Sequence, residues 1–146
     1  MSSQINFFVE DVEFKLNHKT IIRKWIKSIV ESHQQSIEEI NYIFCSDEYL
    51  INVNREYLYH DYYTDIITFD NREALDEPIL SDIFISIDRV KENAITEATH
   101  FDNELYRVLI HGVLHLLGQA DKTEEQQAAM RKSEEASLSL LQIPKK

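Results

Sequence analysis

The hydrophobic positions along the chain follow two periods. Between residues 19 and 35, Ile21, Ile22, Trp25, Ile26, Ile29 and Val30 recur every three or four positions. This predicts an amphipathic helix with one buried stripe. From 37 to 45 the period drops towards two, with Ile40, Tyr42 and Phe44 alternating against Ile43, and predicts a strand. Shorter strands are predicted over 5–9, 64–69 and 82–87, the last two rich in β-branched residues. Ser46 can cap a helix running to about Tyr57, with Asp47 and Glu48 in its first turn. Residues 60–63 form a polar, aromatic loop, and 70–80, which is polar and contains Pro78, an exposed connection. Asp88 is the predicted cap of a helix to about Thr99, and Asp102 or Asn103 of one ending near Leu117. Thr123 and Gln126 form a capping box for a last helix to about Leu141.

Helices and strands interleave, which predicts an α/β (α+β) fold: a small mixed four-stranded sheet packed with about five helices. The step from 69 to 82 contains no helix, so part of the sheet is expected to be antiparallel. No repeat or low-complexity linker interrupts the pattern. A length of 146 residues points to a single domain over 1–146, large enough for its own core.

Composition narrows the function classes. The hydrophobic fraction of 43% and charged fraction of 28% are those of a soluble globular protein. No apolar run approaches the roughly 18 residues of a membrane span, and residues 1–10 lack a secretory pattern. The single cysteine, Cys45, excludes an internal disulfide and fits a cytoplasmic location. A net charge of −11 argues against non-specific wrapping of nucleic acid, which needs a broad basic surface. It leaves room for an enzyme that meets a few phosphates beside a metal ion.

The candidate chemistry lies in His111-Gly-Val-Leu-His115-Leu-Leu-Gly118-Gln-Ala-Asp121. Two histidines four apart on a helix share a face, and both imidazoles can reach one ion. Gly118 suits the left-handed turn that brings the chain back after a helix, so that Asp121 can complete the set. Two nitrogens and a carboxylate leave a fourth position for water, the arrangement of a catalytic zinc site. In that reading the metal-activated water is the attacking group. Both glycines of the chain, Gly112 and Gly118, lie in this stretch. Gly112 sits mid-helix, where glycine costs about 1 kcal/mol relative to alanine, so a close approach to a strand is expected there. The alternative is a pair of ordinary histidines on an amphipathic helix; Gly118 and Asp121 weigh against it.

The ligand spacing is that of metzincin peptidases, yet Gly112 stands where they carry their general-base glutamate. The stretch instead resembles the YbeY family of bacterial rRNA-maturation endoribonucleases, with its pattern His-Gly-x-Leu-His-Leu-x-Gly-x-x-His. His111, Gly112, Leu114, His115, Leu116 and Gly118 match, and Asp121 occupies the place of the usual third histidine. The block from Asn54 through Tyr57 to Thr64-Asp65-Ile66-Ile67-Thr68-Phe69 is similar to a second family block. Ser81-Asp82-Ile83-Phe84-Ile85-Ser86 is similar to a third. Where the family has an arginine after Tyr57, this chain has Leu58.

The resemblance implies a metal-dependent endoribonuclease specific for single strands. It implies action in rRNA maturation, including 16S rRNA 3′-end processing, and in ribosome quality control. The implied partners are ribosomal RNA or pre-ribosomal particles, and the implied ion is zinc on His111, His115 and Asp121. The other readings are a metal-dependent hydrolase of peptides or small molecules and a non-enzymatic ribosome-assembly factor.

Arg107, one turn before His111, is a candidate helper that meets phosphate, or else the partner of Glu104 or Asp102. Arg55, His60 and tyrosines 57, 59, 62 and 63 either form a base-stacking rim or pack the loop. Lys19, Arg23, Lys24 and Lys27 make a basic helix face, either solvated or facing RNA. His18, His33 and His100 are expected at the surface, Asp65 and Asp82 in support of loops, and Cys45 in the core.

Overall fold

The structure, a computed structural model, describes residues 4–144. Its elements run β1 (Ile5–Val9), α1 (Lys19–Ser32), β2 (Ile37–Cys45), α2 (Asp47–Leu58), β3 (Ile66–Asp70), β4 (Ile79–Ser86), α3 (Ile87–Thr96), α4 (Phe101–Leu116) and α5 (Glu124–Ser139). The four strands lie in the order β1-β2-β4-β3. β1, β2 and β4 are mutually parallel, and β3 returns antiparallel to β4, so the expected mixed α/β sheet with five helices is the one observed.

The alternation in β2 decides what each face of the sheet meets. Ile40, Tyr42 and Phe44 are fully buried on one face, with Ile83 and Ile85 of β4 and the apolar stripes of α1 and α4. Tyr42 donates its hydroxyl to the Leu109 carbonyl of α4 at 2.9 Å, satisfying a polar group that is wholly out of water. The opposite face carries a smaller cluster, Cys45, Leu50, Val53 and Ile67, where α2 packs. Cys45 is buried, and burial pushes its thiol up to about 12, so it is an inert core residue.

Two expected caps are observed. Ser46 accepts from Tyr49 N at 3.1 Å, and Thr123 with Gln126 forms a full capping box. Other boundaries differ from the sequence reading for identifiable reasons. β4 begins at Ile79 instead of 82, because Ile79 is fully buried and pairs with Ile37. α3 is capped by Ser86, whose Oγ accepts from Arg89 N at 3.1 Å. Asp88 is spent elsewhere: its carboxylate accepts from Asp47 N at the start of α2, at 3.0 Å. α4 starts at Phe101 with His100 in the cap position and no side-chain cap, which leaves Asp102 in its first turn. α1 stops at Ser32, three residues short of 35, and Gln34 just beyond takes a left-handed conformation.

The expected close approach at Gly112 is present. A Cβ there would lie 3.1 Å from Ile66 Cδ1, 3.2 Å from Thr68 Oγ1 and 3.3 Å from Ile83 Cδ1. Glycine therefore lets α4 settle onto β3 and β4, and this contact sets the height of the histidines above the sheet edge. Among the described residues no helix is long and apolar enough to cross a membrane.

Candidate metal centre

α4 presents His111 and His115 from successive turns. The chain then reverses at Gly118, whose φ of 103° is a conformation side chains rarely adopt, and Gln119 N closes the turn on Leu114 O at 3.0 Å. The reversal carries Asp121 back over the last turn. His111 Nε2 and His115 Nε2 are 3.1 Å apart, and Asp121 Oδ2 lies 3.4 Å from the first and 3.2 Å from the second. Among the described residues this is the one group of three or more His, Cys, Asp or Glu side chains whose ligand atoms converge as an ion requires.

These separations test the fit. Ligands about 2.0–2.1 Å from a tetrahedral ion are about 3.3–3.4 Å from one another. The three measured edges are close to that, so the side chains converge on a point instead of packing at random. Two imidazoles and a carboxylate suit zinc and neighbouring transition metals. Glu104 and Glu134 pair with Arg107 and Asp121 stands against the two imidazoles, so the centre holds three carboxylates to one guanidinium, an excess of negative charge that a divalent cation would offset.

Beneath the ligands lies a buried network. Glu134 of α5 and Glu104 of α4 are each 2% exposed. Glu134 Oε2 is 2.6 Å from His111 Nδ1, and its other oxygen accepts from Arg107 at 3.1 Å. Arg107 also forks onto both oxygens of Glu104. Burial alone would raise the Glu134 carboxyl, but the His111 hydrogen bond and the Arg107 charge outweigh it and hold the group below its ordinary value. Burial likewise opposes the charge on Arg107, and the two glutamates more than restore it.

Of the alternatives for Arg107, the observed partners are Glu104, as weighed from the sequence, and Glu134; Asp102 is not among them. Glu134 was missed. Its signal is a carboxylate on the apolar face of α5, between Met130 and Ser137, which are also buried. A charged residue on a core-facing stripe calls for a partner.

The ligands line a cleft of about 500 Å³ together with Asn54, Leu58, His60, Tyr62 and Asp65. Asp65 accepts from Asn93 at 3.2 Å, and burial raises its carboxyl although His111 and Arg107 oppose the rise. Asp82 holds the connection after β3 by accepting from Asn71 at 3.2 Å. His33 and His100 are exposed and His18 is half-buried. In the basic face of α1, Lys19, Lys24 and Lys27 are exposed, whereas Arg23 is spent on the Ile5 carbonyl and the Phe7 ring.

Comparison with known proteins shows the family. Residues 4–142 match the family model described as Endoribonuclease YbeY. A protein of that name from Cytophaga hutchinsonii is 54% identical over 136 residues, covering 93% of this chain and 94% of its own length. The one from Christiangramia forsetii is 50% identical over 140 residues, covering 96% of each. A solution structure of a Thermotoga maritima protein superposes with a TM-score of 0.63 at 24% identity, covering 92% of this chain and 89% of that one, a likeness of fold.

Proposed function

The chain belongs to the YbeY endoribonuclease family, and from that premise we propose that it is a zinc-dependent endoribonuclease that cuts single-stranded RNA during ribosomal RNA maturation. The observation that carries this reading is the convergence of His111, His115 and Asp121, 3.1–3.4 Å apart, on the wall of an open cleft. In the same reading the chain forms one domain, works in the cytoplasm and meets rRNA within pre-ribosomal particles, at the 16S 3′ end and in quality control.

The side chains divide the work. His111, His115 and Asp121 would hold the ion, which when bound would supply Lewis acidity, lowering the pKa of water and polarising a phosphoryl oxygen. Glu134, an acceptor only, keeps the His111 proton on Nδ1 and so leaves the Nε2 lone pair free to ligate. Arg107 acts as a helper through Glu134, as a positioning residue. Gly112 lets α4 lie close against Thr68, which lines the cleft.

The test uses purified, metal-loaded protein with labelled single-stranded RNA and with casein, with and without chelator. Cleavage of RNA alone, abolished by chelator, is the expected result. Turnover of casein instead would mark a hydrolase of another class. Turnover of neither, with retained binding to pre-ribosomal particles, would mark an assembly factor. Product ends report the nucleophile: a 5′-phosphate indicates attack by water, and a 2′,3′-cyclic phosphate indicates attack by the neighbouring hydroxyl.

A further inference from the structure

Residues 57–63, of which Leu58, His60 and Tyr62 line the cleft, are unusually aromatic and unusually bare. Tyr59 is 90% exposed, Tyr57 65% and Tyr62 55%. Packing of the loop against the core, the plainer of the two sequence readings, does not account for rings left this far in solvent.

The segment is nevertheless held in place. Asn54, 1% exposed, donates its side-chain amide to the Tyr62 carbonyl at 3.0 Å, and its backbone carbonyl accepts from His60 N at 3.1 Å. Arg55 pairs with Asp61 across the loop. His60 and Tyr62 stack with ring centroids 5.2 Å apart and planes 24° apart, and their polar atoms meet at 3.1 Å. Both line the cleft that the metal ligands line. Tyr59 takes a left-handed conformation, φ 57°, at the end of α2.

Charge is missing from the same place. Among the described residues, no lysine or arginine lines the cleft. Arg55 is paired with Asp61, Arg107 with two glutamates, and Arg72 with Asp70 and the Leu116 carbonyl. Apart from a phosphate held by the ion itself, a chain of net charge −11 with no lysine or arginine lining its cleft gains little from the RNA backbone. Stacking is the remaining source of affinity, because every base offers a π-face to an aromatic ring. A paired base has both faces covered by its neighbours, so such a platform takes unpaired bases.

We infer that Tyr59 and the His60–Tyr62 pair form a nucleobase platform that seats unpaired RNA bases at the mouth of the metal cleft. The inference rests on the endoribonuclease reading above, and it replaces phosphate contact by stacking as the main source of RNA affinity in this chain.

The experiment measures binding of the full chain to a fluorescent, non-cleavable 2′-O-methyl oligouridylate of about 12 nucleotides, a length that spans one single-strand site. An abasic oligomer with the same backbone is the control. The base-bearing probe is expected to bind about tenfold or more tighter than the abasic one. Tyr62→Ala and Tyr59→Asn, the latter chosen because asparagine tolerates the left-handed region, should each weaken the base-bearing probe about 5- to 20-fold. Neither should change the abasic probe or lower the melting temperature, and Tyr62→Phe should restore binding. Between about 50 and 200 mM salt the loss should stay under about tenfold, far below the 10³–10⁵ of phosphate-dominated binding. Equal binding of the two probes by the wild type, or variants that bind as it does, overturns the platform. RNA cleavage measured on the same wild-type sample then tells whether the endoribonuclease reading survives or falls with it.

Discussion

Glu134 Oε2 lies 2.6 Å from His111 Nδ1, joining α5 to the first histidine of α4 across 23 residues of sequence. An ionised carboxylate can only accept, so the proton sits on Nδ1 and Nε2 is left as a ligand. Glu134→Ala should therefore weaken metal binding about 10- to 100-fold, the usual effect of removing such a partner. Competition with a chromophoric chelator measures it. Unchanged affinity would mean that the ring is oriented by its packing alone.

Asp121 closes the ligand triangle from beyond the Gly118 turn. Histidine at this position offers a nitrogen donor in place of the oxygen, so Asp121→His should still hold zinc through gel filtration. Asp121→Ala should lose it, as should His115→Ala. Elemental analysis of the eluted proteins decides, and full zinc content in Asp121→Ala would remove the residue from the ligand set.

Arg107 neutralises two carboxylates that are otherwise sealed from water. Arg107→Ala strands Glu104 and leaves Glu134 with His111 as its remaining partner, and breaking a buried pair in this way costs about 3–5 kcal/mol. Urea denaturation of the metal-free protein should show a loss of that order. A loss under about 1 kcal/mol would place the network in the solvent-screened class of surface pairs.

Burial holds the Asp65 carboxyl above its ordinary value. The unfolded chain releases this proton near pH 3.9, while the folded chain keeps it to a higher pH. Over that interval the native state binds more protons, so stability falls as pH rises. Asp65→Asn cannot titrate. Its stability advantage over the wild type, measured in chelator, should widen as pH climbs above about 4 and then level off. A pH-independent difference would show that Asp65 ionises alike in both states.

Much of this arrangement is readable from the residues in order. β2 follows from local alternation, and the ligand helix announces itself through His111, His115 and two glycines in a chain that has no others. What escapes is long-range. Ile79 becomes strand because Ile37 lies opposite, and Ser86 caps α3 while the Asp88 carboxylate, in its first turn, accepts from Asp47 N of α2. Glu134 reads as one acid among many on a polar helix until α5 is laid against α4. The aromatic loop could be read two ways because exposure, not composition, separates a platform from a packed corner.

The backbone at Tyr59 carries one more consequence. A tyrosine in the left-handed region costs about 1–2 kcal/mol that glycine avoids, less the roughly 0.5–1 kcal/mol of extra chain entropy that glycine surrenders on folding. Selection for durability alone would install glycine at this position, while selection for grip on a substrate would keep the ring. In a library randomised at residue 59, survival after heating and capture on immobilised RNA should enrich opposite residues, so that the two screens pull one peptide unit in contrary directions.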